Sequence, residues 1–194
     1  MNQGRKQANE KAAPGSIRII AGKHRGRKLP VLMAEGLRPT TDRVKETLFN
    51  WLMPYIPDAN CLDCYAGAGS LGFEALSRGA EKVTLIELNK TAAKQLLANK
   101  RLLKADDVSV FNANVLDFLK TPTANKFDLV FIDPPFRLNL MSPTCALLES
   151  GWLTEQALIY VEMEAEGNQP LPDNWLLLKE KIAGQVAYRL YQRT

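Results

Sequence analysis

Three short stretches of this 194-residue chain hold residue types that could do chemistry together. The first is Phe131-Ile132-Asp133-Pro134-Pro135-Phe136. The apolar run Leu129 to Ile132 has the length of a buried strand, and two prolines then forbid both helix and ladder at its end. The chain must stop abruptly at Asp133. A carboxylate held there, beside a carbonyl with no following N–H to compete for it and an aromatic ring, suits a planar group that bears an amine. Taken alone, Pro-Pro is also what an ordinary loop carries.

The second stretch is Gly67-Ala68-Gly69-Ser70-Leu71-Gly72, which fits G-x-G-x-x-G, a weak pattern in isolation. Val83-Thr84-Leu85-Ile86-Glu87 sharpens it. Glu87 is an acid about 20 residues after the glycines, where nucleotide-binding α/β sheets bond ribose hydroxyls. The third candidate is Asn114, at the end of the run Val108 to Val115. Its amide could meet a purine edge, or simply cap a loop. Cys61 and Cys64 form C-x-x-C, but no second pair follows and His24 is the only histidine. No redox or metal site is expected from that set.

These residues need elements to position them. Asn60 to Asp63, Val83 to Glu87, Val108 onward, Phe127 to Ile132 and Leu158 to Glu162 read as strands. Between them, Phe73 to Ser77 begins a helix, Lys90 to Leu103 has helical spacing, Val115 to Lys120 starts another, and an irregular helix runs through Glu149. Trp175 to Leu178 and Val186 to Tyr191 read as two closing strands joined around Gly184. Alternating strands and helices predict a doubly wound α/β fold, a mostly parallel seven-stranded sheet with helices on both faces. Asp63, Glu87, Asn114 and Asp133 then share one sheet edge.

Charge is placed unevenly along the chain. Residues 1–50 hold 11 Lys or Arg against four Asp or Glu, within an overall net charge of +4. Residues 1–15 lack periodicity and are expected to be a disordered tail. Residues 16–36 read as a small β-hairpin extension with a basic tip, from which Arg18, Lys23, Arg25, Arg27 and Lys28 project. Residues 37–194 form the main domain. There Arg38, Thr41 and Arg43 gather at a helix entrance, and cations oppose the helix dipole unless an anion sits among them. A polyanion is the partner such a face suits, nucleic acid before membrane, and a solvated basic surface is the plain alternative. Apolar content of 46% is ordinary for a globular protein, and no run approaches the roughly 20 residues of a membrane span. The polar N-terminus and the odd count of three cysteines predict an unexported protein of a reducing compartment.

The order of glycines, Glu87, Asn114 and Asp133-Pro134-Pro135-Phe136 resembles the Rossmann-like class I, S-adenosylmethionine-dependent methyltransferases that act on amines. The hairpin Arg18 to Lys28, the stretch Leu37-Arg38-Pro39-Thr40-Thr41-Asp42-Arg43 and the ending Gly184-Gln185-Val186-Ala187-Tyr188 resemble the RsmD family more narrowly. That family methylates N2 of one guanine in bacterial 16S ribosomal RNA. The resemblance implies that Asp63, Tyr65, Ala66, Gly67, Gly69 and Ser70 bind S-adenosylmethionine, Gly67, Gly69 and nearby backbone holding its methionine part, and that Glu87 takes its ribose. Leu88, Asn114 and Val115 face the adenine. Asp133 and the Pro134 carbonyl orient the guanine amine, with Pro135 and Phe136 completing the pocket. It further implies 16S RNA in an assembling 30S particle as partner, a cytoplasmic monomer, and neither metal nor membrane. Two other readings remain open, an adenine-N6 methyltransferase and a non-catalytic RNA-binding module.

Overall fold

β-Branched and apolar runs become the parallel strands of the molecule, four of them four to six residues long and the last, Leu153–Glu164, twelve. The computed structural model describes residues 15–31, 42–122, 124–167 and 169–194. In chain order these form β1 (Gly15–Arg18), β2 (Lys28–Val31), α1 (Asp42–Leu52), β3 (Asn60–Asp63), α2 (Ser70–Ser77) and β4 (Lys82–Glu87). There follow α3 (Lys90–Leu103), β5 (Val108–Asn112), α4 (Val115–Leu119), β6 (Phe127–Ile132), α5 (Met141–Glu149), β7 (Leu153–Glu164), β8 (Trp175–Ala183) and β9 (Val186–Arg193). The long sheet has seven strands in the order β5-β4-β3-β6-β7-β9-β8. Five are parallel, and the β8–β9 hairpin adds the antiparallel edge. This is the doubly wound sheet the alternation predicted.

Two apolar layers flank it. One holds Leu48 and Phe49 of α1, Phe73 of α2, Leu96 of α3 and the sheet residues Leu85, Phe131 and Tyr160. The other holds Val115 of α4, Cys145 of α5, and Val130, Ile159 and Val161. Cys61 belongs to the first layer and Cys64 to the second. The C-x-x-C thiols therefore pack on opposite faces, and burial pushes both well above the usual thiol range.

β1 and β2 pair as the expected hairpin, Gly15 with Val31 and Arg18 with Lys28. Its tip is docked rather than free. Ile17, Ile19, Leu29 and Val31 enter the same core as α1, α2 and α3. The Ile20 and Ala21 amides donate to the two oxygens of Glu74 at 2.8 and 3.0 Å. Glu74 is fully buried on α2 and also pairs with Arg78 at 2.7 Å and Lys45 at 3.5 Å. Gly22 is required here, since with φ near +81° a Cβ would lie 1.7 Å from the Ser77 carbonyl oxygen.

Several boundaries differ from those expected. Helix α2 begins at Ser70, not Phe73, because Gly69 takes a left-handed φ of 79° and turns the chain into the helix at once. Strand β7 begins at Leu153, not Leu158, because Leu153 already pairs with Phe127 of β6. Lys45, close to the charged entrance of α1 in sequence, is 1% exposed. The residue instead serves the buried Glu74 node.

Candidate active site

The turn between β3 and α2 is built on backbone amides. Gly67 and Gly69 both take positive φ, Ala66 N–H donates to the Ile86 carbonyl at 2.9 Å, and Gly69 N–H donates to the Ala66 carbonyl at 2.6 Å. Gly67 N–H donates to Glu87 Oε2 at 2.8 Å, while Glu87 Oε1 accepts from Asn89 N–H at 2.7 Å. A carboxylate offers about four lone-pair sites, so two remain for hydroxyl donors. Leu88 beside it is 66% exposed, so its side chain is open to a ligand.

The remaining residues of the cofactor set fall into different positions. Asp63 is 2% exposed and accepts from the Gly72 and Tyr65 amides, shaping the turn from beneath. Tyr65 shares a 2.7 Å hydrogen bond between its hydroxyl and that of Thr144. Ser70 opens α2. Asn114 Oδ1 caps α4 through the Leu116 and Asp117 amides at 2.9 and 3.3 Å, so the capping role open in the sequence is realised on that atom. Val115 is buried behind it. Asn112, not anticipated, donates from Nδ2 to the Glu87 and Leu88 carbonyls at 2.9 and 2.8 Å and fixes the end of β4.

On the neighbouring strand, Asp133 follows β6 directly, with Pro134 buried and Pro135 exposed. Phe136 is 43% exposed, its ring free of the core beneath. Burial pushes the Asp133 carboxyl up to about 7. Burial first, then the charge of Asp133, pushes Asp63 up to about 7 as well. Arg137 and Asn139 hold positive φ values of 66° and 51°, backbone strain concentrated just after the Pro-Pro step.

The parallel strands thus carry Asp63, Glu87, Asn114 and Asp133 to the carboxyl end of the sheet, with the Gly67 turn and Leu88 beside them. Arg18, Lys23, Arg25, Arg27, Lys28 and Arg43 are all exposed, and Arg27 is anchored by a 3.1 Å bond to the Leu102 carbonyl. Arg38 and Thr41 lie outside the described residues. Besides Asn112, the residues not anticipated from sequence are Glu74, Tyr160 and Glu162. For Glu162 a signal existed, an acid closing the apolar run Leu158 to Val161 in the way Asp63, Glu87 and Asp133 close theirs.

The geometry has counterparts in known proteins. The model of a family described as conserved hypothetical protein 95 matches residues 17–192. The ribosomal RNA small subunit methyltransferase D of Haemophilus influenzae is 60% identical over 184 residues, 93% of this chain and 95% of that one. Its Escherichia coli K12 counterpart is 58% identical over 181 residues, 92% of this chain and 91% of that one. A solved E. coli structure, yhhF, provisionally described as a methyltransferase, superposes with TM-score 0.85 at 57% identity, covering 92% of this chain and 98% of its own.

Proposed function

This chain belongs to the RsmD family, and from that membership we propose that it transfers a methyl group to the exocyclic N2 amine of a guanine in small-subunit ribosomal RNA. The observation that carries the reading is one sheet edge. The Gly67 turn and Glu87 lie at one end, and Asp133 with Pro134 lies one strand further on, at the end of β6. S-adenosylmethionine, when bound, supplies a sulfonium methyl already activated for transfer, so the protein's contribution is mainly positioning. Glu87 has lone pairs left for ribose hydroxyls, exposed Leu88 offers a face to an adenine, and the Gly67 turn lets a ligand approach its backbone. These residues fit that donor.

The guanine amine is a weak nucleophile, because its lone pair is delocalised into the ring. Asp133 and the Pro134 carbonyl, accepting its two N–H bonds, turn that lone pair toward the methyl carbon. The N–C bond forms as the S–C bond breaks, and the developing positive charge on nitrogen sits against the Asp133 carboxylate. The amine proton then leaves to solvent or to that carboxylate. Phe136 stacks on the base, a contact worth roughly 1–3 kcal/mol in single-stranded recognition. The base must leave its stack to reach this depth. The exposed cations of the hairpin neutralise backbone phosphates without reading sequence.

The substrate in this reading is 16S RNA, met in an assembling small subunit in the cytoplasm. The test is digestion of ribosomal RNA treated with the protein and labelled S-adenosylmethionine, followed by mass spectrometry of the nucleosides. N2-methylguanosine at one site is expected. N6-methyladenosine would transfer the same geometry to an adenine amine, and no labelled nucleoside would leave a binding module.

A further inference from the structure

Four adjacent parallel strands, β4, β3, β6 and β7, each carry an acid at or near the carboxyl end: Glu87, Asp63, Asp133 and Glu162. The first three have places in the reading above. Glu162 does not. Strand β7 pairs with β6 through Ile132 and Val161, so Asp133 and Glu162 occupy the next position on each strand. Two residues back, Phe131 and Tyr160 meet edge-on with ring centroids 6.2 Å apart. Carried one residue past β6, the strand alternation puts Asp133 on the face of Phe131 and Tyr160, beside Glu162, whose carboxyl feels its charge. Glu162 is 7% exposed, and the Tyr160 hydroxyl donates to its Oε1 at 2.9 Å. Its residue also forms part of the wall of the cleft bounded by Pro134, Pro135 and Phe136.

The Tyr160 hydroxyl meets one oxygen of this buried carboxyl, and a carboxylate at the wall of the cleft can accept further donors. The guanine edge supplies one. Its N2 amine lies between N1–H and N3 on the ring, and a base turned with N1–H toward β7 sets that second donor against Glu162. Adjacent strands lie about 4.8 Å apart, a span that two acid side chains can close to meet neighbouring atoms of one base.

We propose that Glu162 accepts the N1–H of the target guanine and so selects guanine over purines whose N1 carries a lone pair, with Tyr160 positioning its carboxyl. The assignment rests on the guanine-N2 reading. Burial, and then the charge of Asp133, pushes the free Glu162 carboxyl up to about 8, and a bond from N1–H favours its ionised form. Tyr160 is a positioning residue, since it touches Glu162 and not the base.

The test uses the full chain, S-adenosylmethionine and a small-subunit RNA fragment whose methylated guanosine has first been located. That nucleotide is prepared as guanine or as 2-aminopurine, which keeps the amine and lacks N1–H. The native protein is expected to prefer guanine by at least about 100-fold in kcat/KM, because a site that bonds a donor rejects the analogue lacking it. Glu162→Gln is expected to lose about 10- to 100-fold on guanine and little on 2-aminopurine, with cofactor affinity in calorimetry unchanged. Tyr160→Phe shifts the same preference in the same direction by a smaller factor. Equal losses on both bases, or an unchanged preference in both variants, overturn the assignment. If Glu162→Gln fails to bind cofactor, an unchanged preference in Tyr160→Phe overturns it alone. Absence of N2-methylguanosine from the native protein overturns the guanine reading itself, a result distinct from any of these.

Discussion

The Gly67 amide donates to Glu87 Oε2 at 2.8 Å, across 20 residues of chain. The Gly-rich turn and the end of the neighbouring strand are thereby one unit. Glu87 both shapes the turn and retains lone pairs for a ligand, so its removal should act on affinity before rate.

Glu87→Ala is expected to weaken S-adenosylmethionine binding by about 10- to 100-fold, the worth of one charged hydrogen bond. Calorimetry measures it directly. Unchanged affinity would move the ribose site elsewhere.

Asp133→Ala should keep cofactor binding and lose about 10²- to 10³-fold in kcat, as when one charge-stabilising group is removed. In the native protein the rate should climb as pH rises through about 7, where the Asp133 carboxyl ionises. Near-normal turnover of the variant would sink the mechanism.

Arg25→Ala combined with Arg27→Ala should weaken RNA binding and lower the slope of log affinity against log salt by about 1.4 to 1.8. Both side chains are exposed, so the melting temperature should hardly move. A slope equal to the native one would return these cations to ordinary surface.

Glu74→Ala should destabilise the fold by about 3–5 kcal/mol, because Lys45 is left buried without its counter-charge. The Ile20 and Ala21 amides also lose their acceptor. Denaturant unfolding gives the size, and hydrogen exchange should show residues 20–24 opening first. A loss below about 1 kcal/mol would mean that the hairpin is held by its apolar contacts alone.

Asp63, Asp133 and Glu162 hold their protons to about 7, 7 and 8 in the folded protein, above the ordinary carboxylate range. The folded state therefore binds protons that the unfolded chain has released. The stability these acids contribute is complete below about pH 4 and is lost as pH rises through about 7 to 8. Melting temperature measured from pH 5.5 to 8.5 should fall, and Glu162→Gln should flatten the decline. A native profile that rises across that window would contradict the arrangement.

Local chemistry in the sequence determined much of this protein. Proline after Asp133, positive φ at Gly67 and Gly69, and apolar periodicity in Lys90 to Leu103 are constraints each segment obeys by itself. They sufficed for the strands, the Gly-rich turn and the order of Asp63, Glu87, Asn114 and Asp133 along one edge. Tertiary structure decided which side chains meet across elements. Glu74 looks in sequence like one more charge on a helix, and becomes the buried anchor of amides 53 and 54 residues away. Glu162 closes one more apolar run, and becomes the neighbour of Asp133 only because β7 pairs with β6 in one register. Such meetings depend on strand order and register, which the packing of the whole chain sets and no local window contains.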